Sequence, residues 1–479
     1  MEKISRREAM IRLGIVAGGA AVLTAPRTRA RAADGKDSLN KFDRPLTAIT
    51  LGAGNRGTLY GDYAVEYPAE LKIVGVAEPI VERNDFHAKT HNIPDENRFV
   101  TWEHVLERPK FADMVVVSMP DDLHHEPCIQ AMRLGYDVLL EKPMAQSEAE
   151  CLEILKVQQE TGRVVGIAHV LRYAPYFIDM RKVVLSGKLG RIVNMQHMEP
   201  IEWRHMMHSY VRGNWHDSSM TTPIILAKSC HDLDIMRWIM DEPCDKIVGF
   251  GDLSFYKREN APEGSGDRCL DCAVETSCAY SAKRMYLQDK ERLYAIMPVV
   301  PDLSRISAGT PKMEQLEKKI LHSLKTTNYG RCAFKMENDQ PEHLACAMEF
   351  RSGATATFNM DGFTSYHGRR TRLMGTKGDL VGDMDTFTYT DYMTKKSPVG
   401  AISLRKSFTW DISVSDVKGY EDSGHGGGDY RFVSDLLRAV YHRDESLLTS
   451  TVTASVESHV MGFRIEKSRK GGGVQEVNV

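Results

Sequence analysis

Short apolar runs alternate with longer stretches of helical spacing over the first third of the chain. Leu46–Gly52 is one such run, and Leu71–Ala77, Asp113–Met119, Asp137–Leu140 and Val164–His169 are others. Between them, Leu59–Tyr67, Pro127–Leu134 and Glu148–Thr161 carry apolar residues at helical intervals. Strand alternating with helix predicts a parallel, doubly wound sheet and the α/β class. Near residue 170 the pattern changes. Arg191–Pro200 and Ala345–Met360 alternate weakly, and Thr371–Met374 runs into a Gly375–Gly378 turn. These read as strands of an open, largely antiparallel sheet, with a helix at Ile224–Met240 among them. Residues 252–330 are polar and irregular, and Tyr430–His442 and Val452–Lys470 read as two closing helices. No repeat of 20–50 residues is present.

The start of the chain is different in kind. Arg6-Arg7 precedes an uncharged, Gly/Ala-rich stretch from Leu13 to Ala25, and Ala30-Arg31-Ala32 follows. Thirteen apolar residues are too few to span a bilayer. A charged start, a short apolar run and an A-x-A end predict a signal peptide over 1–32, cleaved after Ala32. The paired arginines point to the twin-arginine route, a periplasmic or otherwise exported destination, and no stable membrane insertion afterwards. Composition supports a globular body: 42% hydrophobic and 27% charged residues are ordinary values. The net charge is −3, made of +5 in residues 1–33 and −8 in the remainder. So acidic a body is a poor partner for phosphate backbones, which argues against nucleic acid.

Candidate chemistry sits at the strand ends. Gly52-Ala-Gly54-Asn55-Arg56-Gly57 follows an apolar strand and opens a helix, the context a dinucleotide loop requires. Gly52 allows a tight turn, and Gly54 lets backbone approach a pyrophosphate at the helix N-terminus. Glu78 closes the next strand, where a carboxylate binds a ribose 2′-hydroxyl and repels a 2′-phosphate, favouring NAD over NADP. Pro120-Asp121-Asp122-Leu123-His124 and Glu141-Lys142-Pro143 end two later strands at the ligand-binding edge of such sheets.

Together, Gly52-x-Gly54-x-Arg56-Gly57, the Pro120…His124 turn and Glu141-Lys142-Pro143 resemble the Gfo/Idh/MocA oxidoreductases over roughly residues 45–470. The resemblance implies a Rossmann domain over 45–170 and a C-terminal substrate and oligomerisation domain over 171–479. The open sheet of the second domain would form the floor of the active site and a homo-oligomer face. It implies NAD(H) or NADP(H) as cofactor and a carbohydrate or polyol as substrate. Cofactor contacts are expected from Gly52, Gly54, Asn55, Arg56, Gly57, Glu78, Pro120, Asp121, His124, Glu141, Lys142 and Arg172. Lys142 would lie near the nicotinamide and the reacting oxygen. The family's helical histidine corresponds to His231 in Lys228-Ser-Cys-His231-Asp232. Many members carry Asp or Tyr four residues earlier; here that position is Ala227, so either Lys228 replaces it or His231 acts with Lys142 alone. Lys142, His231 and Lys228 are therefore the expected catalytic groups. Imidazole suits movement of a hydroxyl proton.

Three polar segments fit a sugar surface: His169-Val-Leu-Arg172-Tyr173, His208-Ser-Tyr-Val-Arg212-Gly-Asn214-Trp215, and the loop from His425 to Asp429. Tyr173, Arg212, Asn214, Trp215, His231 and His425 are the expected substrate contacts. Cys269-x-x-Cys272 with Cys278 and Cys332 is compatible with a structural zinc, with disulfides or with free thiols. The remaining five cysteines lie in apolar or helical runs and read as core. The leading reading is an exported oxidoreductase acting on a secondary hydroxyl of a sugar, glycoside or polyol. Free NAD is scarce outside the cytoplasm, so the cofactor is expected to be tightly bound and recycled. The alternatives are an NAD-dependent glycosidase working by oxidation and elimination, or a non-catalytic nucleotide-binding protein. Lys142 favours the dehydrogenase over the glycosidases, and Lys142 with His231 disfavours the non-catalytic reading.

Overall fold

The computed structural model describes residues 42–397 and 400–478; the expected signal peptide lies outside them. The first sheet holds β1 (Leu46–Leu51), β2 (Leu71–Ala77), β3 (Arg98–Phe99), β4 (Met114–Val117), β5 (Asp137–Leu140) and β6 (Val165–Ile167). All pairs are parallel, in the order β3-β2-β1-β4-β5-β6. This is the doubly wound dinucleotide-binding order, with its switch point between β1 and β4. β4 and β5 are buried at every position, as central strands covered on both faces must be. The connecting helices are α1 (Asn55–Glu66), α2 (Val81–His91), α3 (Trp102–Leu106), α4 (His125–Arg133) and α5 (Glu148–Thr161). A capping box between Ser147 and Glu150 starts α5.

After α6 (Pro175–Leu185) come β7 (Ile192–Pro200), α7 (Cys230–Met240), β8 (Cys244–Phe250) and α8 (Pro311–Thr326). Then follow β9 (His343–Phe350), β10 (Thr355–Asp361), β11 (Arg370–Gly375), β12 (Gly378–Gly382), β13 (Thr386–Ser397) and β14 (Gly400–Asp411). The chain closes with α9 (Gly428–His442), α10 (Val452–Gly471) and β15 (Gln475–Glu476). The second sheet runs β14-β13-β12-β11-β7-β10-β9-β8-β15 and is antiparallel except at β7–β10. β9 alternates exposed and buried residues, so one face is open and the other packs inward. α10 lies on β8, and α7 lies on β7.

The α/β architecture and both sheet types are as the sequence predicts, with local differences. Ala345–Met360 is the hairpin β9–β10, turning at Gly353 with φ of +82°. The helix expected at Ile224–Met240 is broken at Lys228 and Ser229 into Ile224–Ala227 and α7. Residues 252–330 contain the sixteen-residue α8. From the far end of the chain, α9 packs its Phe432, Val433, Leu436 and Leu437 into the core formed by Leu46, Ala48, Tyr60 and Tyr63 of the first sheet and α1.

Candidate active site

The glycine loop between β1 and α1 is built from three different constraints. Gly52 has φ of +89°, a left-handed conformation that glycine adopts without steric cost. A Cβ at Gly57 would lie 2.1 Å from the Gly52 carbonyl oxygen. Gly54 is different, because the nearest atom to an added Cβ is Arg83 Nη1, 3.8 Å away. Space beside Gly54 is therefore left open, and α1 begins there with no side-chain cap. Uncapped N–H groups beside open space fit a pyrophosphate. Buried Glu78 accepts hydrogen bonds from Ala53 N and Ile80 N, both at 2.9 Å. A carboxylate has about four acceptor positions, so capacity remains for a ribose hydroxyl.

Behind the loop runs a network of charges. Arg56 Nε donates to Glu141 Oε1 at 2.5 Å, and Arg56 Nη2 donates to Asp429 Oδ1 at 2.8 Å. Tyr60 donates its hydroxyl proton to Glu141 Oε1, and Asp429 Oδ2 is 2.9 Å from His425 Nδ1. Burial alone would raise the Asp429 carboxyl, but Arg56 and His425 outweigh it and hold it well below the usual carboxylate range. Glu141 behaves alike: burial opposes ionisation, while Arg56 and Lys142 favour it. The first turn of α9 is thus fastened to the start of α1, beside the nucleotide loop.

Lys142, next to Glu141, donates from Nζ to the Ala227 carbonyl at 2.9 Å. That carbonyl is available because the helix breaks there. His231, in the first turn of α7, is 5% exposed, and its Nδ1 is buried without a partner. Burial, then Lys142, His425 and His169, push the His231 imidazole well below its ordinary value. The ring is neutral at pH 7, the state a general base needs. His425 lies 5.9 Å from it, ring to ring, and His169 lies at the same distance on another side.

Lys228 is turned elsewhere. Its Nζ is 3.1 Å from Glu199 Oε1, and Arg369 pairs with Glu199 at 2.9 Å and with Asp232 at 2.6 Å. His197 completes the chain at 3.0 Å from Asp232. Burial lowers the Lys228 ammonium and Glu199 opposes that shift. Nearby, Glu202 has φ of +73° and caps a turn that continues as a π-helix over Met206–Val211. Strained non-glycine backbone and π-helical turns concentrate at functional sites. Neither Glu199, Glu202 nor Arg369 stood out in the sequence, since all three are isolated charges that only the tertiary fold assembles.

Several expected site residues lie away from this centre. Arg172 is buried and forms a bidentate pair with Asp234 at 2.7 and 2.6 Å, so its guanidinium anchors the domain junction rather than a cofactor. Tyr173 is buried, with its hydroxyl on Ser450 and Thr449. Arg212 is buried in the 252–340 region, donating to Arg331 O and Tyr280 O. Asn214 is exposed, and Trp215 packs 6.2 Å from Tyr210. His124 bridges Pro143 O and Met119 O, and Asp121 holds the Thr222 backbone and hydroxyl. Both brace the strand ends that carry Lys142, while Pro120 is exposed beside them. The zinc expectation is corrected. Among the described residues no group of three or more His, Cys, Asp or Glu is placed to hold a metal ion. Cys269, Cys272, Cys278 and Cys332 are free thiols around a small cavity that Arg212, Tyr280 and Phe334 also line, without converging as a ligand set. Among the described residues no helix is long and apolar enough to cross a membrane.

Comparison with known proteins bears on the same region. The family described as "Oxidoreductase family, NAD-binding Rossmann fold" (Gfo/Idh/MocA) matches residues 47–169. YteT of Bacillus subtilis (strain 168), an oxidoreductase by name, is 24% identical over 330 residues, 68% of this chain and 72% of its own. Inositol 2-dehydrogenase 2 of Saccharopolyspora erythraea is 30% identical over 132 residues, 27% of this chain and 35% of its own. The 1,5-anhydro-D-fructose reductase of Ensifer adhaerens is 28% identical over 198 residues, 40% of this chain and 56% of its own. The last two alignments thus span under two thirds of those relatives. Among solved structures, levoglucosan dehydrogenase with NADH and levoglucosan superposes with a TM-score of 0.65 at 14% identity, covering 91% of this chain and all of that one. That likeness is one of fold. The strand order, the glycine loop and the matched segment together make residues 47–169 a Rossmann domain similar to the NAD-binding domain of the Gfo/Idh/MocA oxidoreductases.

Proposed function

We propose that the protein is an NAD-dependent dehydrogenase acting on a secondary hydroxyl of a sugar, glycoside or polyol. The observation that carries this reading is the Lys142 ammonium at the end of β5, held on Ala227 O and close enough to the buried His231 of α7 to help keep its imidazole neutral, beside the glycine loop. The bound nicotinamide supplies the hydride acceptor. Gly52, Gly54 and Glu78 would hold the nucleotide, and Arg56 and Glu141 would fix its loop. His231 takes the hydroxyl proton, and the Lys142 ammonium, positioned by Ala227 O, stabilises the developing alkoxide. The relatives named for inositol and 1,5-anhydrofructose chemistry support a polyhydroxy substrate. The test is NADH formation with a panel of inositols, anhydrosugars and glycosides; no turnover with any of them would remove the dehydrogenase reading. Release of aglycone without net NADH would support the oxidation–elimination alternative.

The finer features belong to the same proposal. The chain is exported through its twin-arginine segment, with the nucleotide bound beforehand and retained. Arg83, beside Gly54, donates to Pro298 O at 3.0 Å, so the 252–340 region reaches over the nucleotide loop and supports slow release. Retention for hours at an association rate of about 10⁵–10⁷ per molar per second needs a dissociation constant of roughly nanomolar or below. Purified protein should carry about one nucleotide per chain through dialysis. An empty protein that works only with added NAD would end the retention proposal and leave the dehydrogenase standing. The open face of the second sheet, with Val381 about half exposed and Phe250 more so, is the proposed homo-oligomer contact.

A further inference from the structure

Just past the end of β7, Glu202 meets Arg292, and both have left-handed backbone, with φ of +73° and +52°. A π-helical turn lies beside each, Met206–Val211 after Glu202 and Lys283–Gln288 before Arg292. The two turns touch, with His208 Nδ1 2.8 Å from the Tyr286 hydroxyl. Costly backbone of this kind persists where a site requires it. The pair itself is incomplete. Arg292 Nη2 is 3.8 Å from Glu202 Oε2, too far for a hydrogen bond, and Nη1 donates to the Tyr294 hydroxyl at a long 3.4 Å. A guanidinium has five N–H donors, and water reaches this one, whose side chain is 12% exposed. Glu202 Oε2 accepts from His205 N at 3.1 Å, and Oε1 accepts from none of the described residues. Half-exposed Phe363, stacked on Tyr256 at 5.5 Å, is carried on the β10–β11 loop, which Thr364 Oγ1 joins to Glu202 N at 3.0 Å.

This pair is set apart from the reacting centre. Lys142 depresses the imidazoles of His169, His231 and His459, whereas Arg292 depresses those of His205, His208 and His367. Lys228 lies between: it follows the carbonyl that holds Lys142, pairs with Glu199 at 3.1 Å, and acts on His205 and His367 as well. Resting on the dehydrogenase reading, we propose that Glu202 and Arg292 form a specificity subsite for a second sugar ring, so that the substrate is a glycoside of at least two rings. The ring to be oxidised presents its hydroxyl to His231 and Lys142. The linked ring extends past Lys228 and Glu199 and sets neighbouring hydroxyls on the pair. The guanidinium donates to their lone pairs, and the free carboxylate oxygen accepts their protons. Phe363 offers an apolar surface for the C–H face of that ring. Around the subsite Arg292 is matched by Glu202, Lys228 by Glu199 and Arg204 by Glu291. No cation is left over for a substrate carboxylate, which favours neutral hydroxyls.

Calorimetry on NADH-saturated protein tests this with cellobiose, maltose, lactose and melibiose against the methyl glycosides of glucose and galactose. At least one disaccharide should bind about tenfold more tightly than either methyl glycoside. In Arg292→Met and Glu202→Gln that ratio should fall to about one, without early melting; Gln keeps an acceptor for His205 N. Arg292→Lys keeps the charge and the stem but not the fork, and should lose most of the advantage too. No disaccharide advantage in wild type, or one that the variants keep, would overturn the subsite. Methyl glucuronide binding more tightly than every disaccharide would overturn it as well, since the pair would then seat a carboxylate. For any disaccharide that is oxidised, Arg292→Met should raise KM about tenfold with a smaller change in kcat. A disaccharide advantage abolished by the variants, with no NADH formed from any sugar, would defeat the dehydrogenase reading and leave the subsite. NADH formed from inositols, with no disaccharide advantage, would defeat the subsite alone.

Discussion

Around the glycine loop, charged side chains find their counterparts within the chain. Arg56 is held by Glu141 and Asp429, Asp429 by His425, and Glu78 by two backbone N–H groups. Around the ends of β6 and the start of α7, His231 Nδ1, both nitrogens of His169 and Ser229 Oγ are buried with no partner. A satisfied buried network rigidifies its surroundings, whereas each unsatisfied buried group costs about 1–3 kcal/mol. The first region is finished before any ligand arrives. The second keeps buried polar groups that none of the described residues satisfies.

Substitutions should therefore fail differently in the two regions. Lys142→Met and His231→Ala should leave folding and NADH binding near wild type and lower turnover by roughly two to four orders of magnitude, the range for a lost acid/base group. Stopped-flow turnover beside thermal melting checks this, and a variant that melts early would blur the contrast. Asp429→Ala should do the reverse, destabilising the fold by about 3–5 kcal/mol because Arg56 and His425 lose a buried anionic partner. The Asp429 carboxyl titrates below its unfolded value, so its contribution is complete above about pH 4 and is lost as pH falls below that. Melting temperature between pH 7 and pH 3 should drop more steeply in wild type than in Asp429→Asn.

Within the glycine loop the contrast narrows to two neighbouring residues. Gly57→Ala drives a methyl group against the Gly52 carbonyl and should cost about 1–3 kcal/mol of stability. Gly54→Ala meets open space and should melt like wild type while binding NADH more weakly. Equal melting of the two variants would show the loop to be more pliant than its geometry implies. The smallest expected effect concerns Glu78, for which calorimetry should find NAD(H) bound about tenfold more tightly than NADP(H), near 1.4 kcal/mol. Equal affinities would mean that Ala53 and Ile80 occupy the carboxylate fully.

Strand ends, the glycine loop and Glu141-Lys142-Pro143 were legible because they are local: a run of β-formers, a spacing and a turn carry the whole signal. His231 was legible through the Lys228…Asp234 pattern, but not the break before it that frees the Ala227 carbonyl for Lys142. Long-range pairings were illegible in principle. Arg172 looked like a ligand donor until Asp234, 62 residues later, absorbed it. Arg56 looked like part of a phosphate loop, yet one of its partners, Asp429, lies 373 residues away. The hairpin β9–β10 read as one strand because its turn, Arg351-Ser352-Gly353, is short and only weakly marked.

The return of α9 to the first domain also sets a timetable for the growing polypeptide. Six parallel strands are complete by Ile167, yet Phe432 and Leu436, which seal one side of that core, leave the ribosome some 260 residues later. At about 5–20 residues per second the nascent first domain would wait roughly a quarter of a minute to a minute with an apolar flank uncovered. Chaperone occupancy on ribosome-bound chains should therefore persist past residue 170 and fall only once residues 428–442 have emerged.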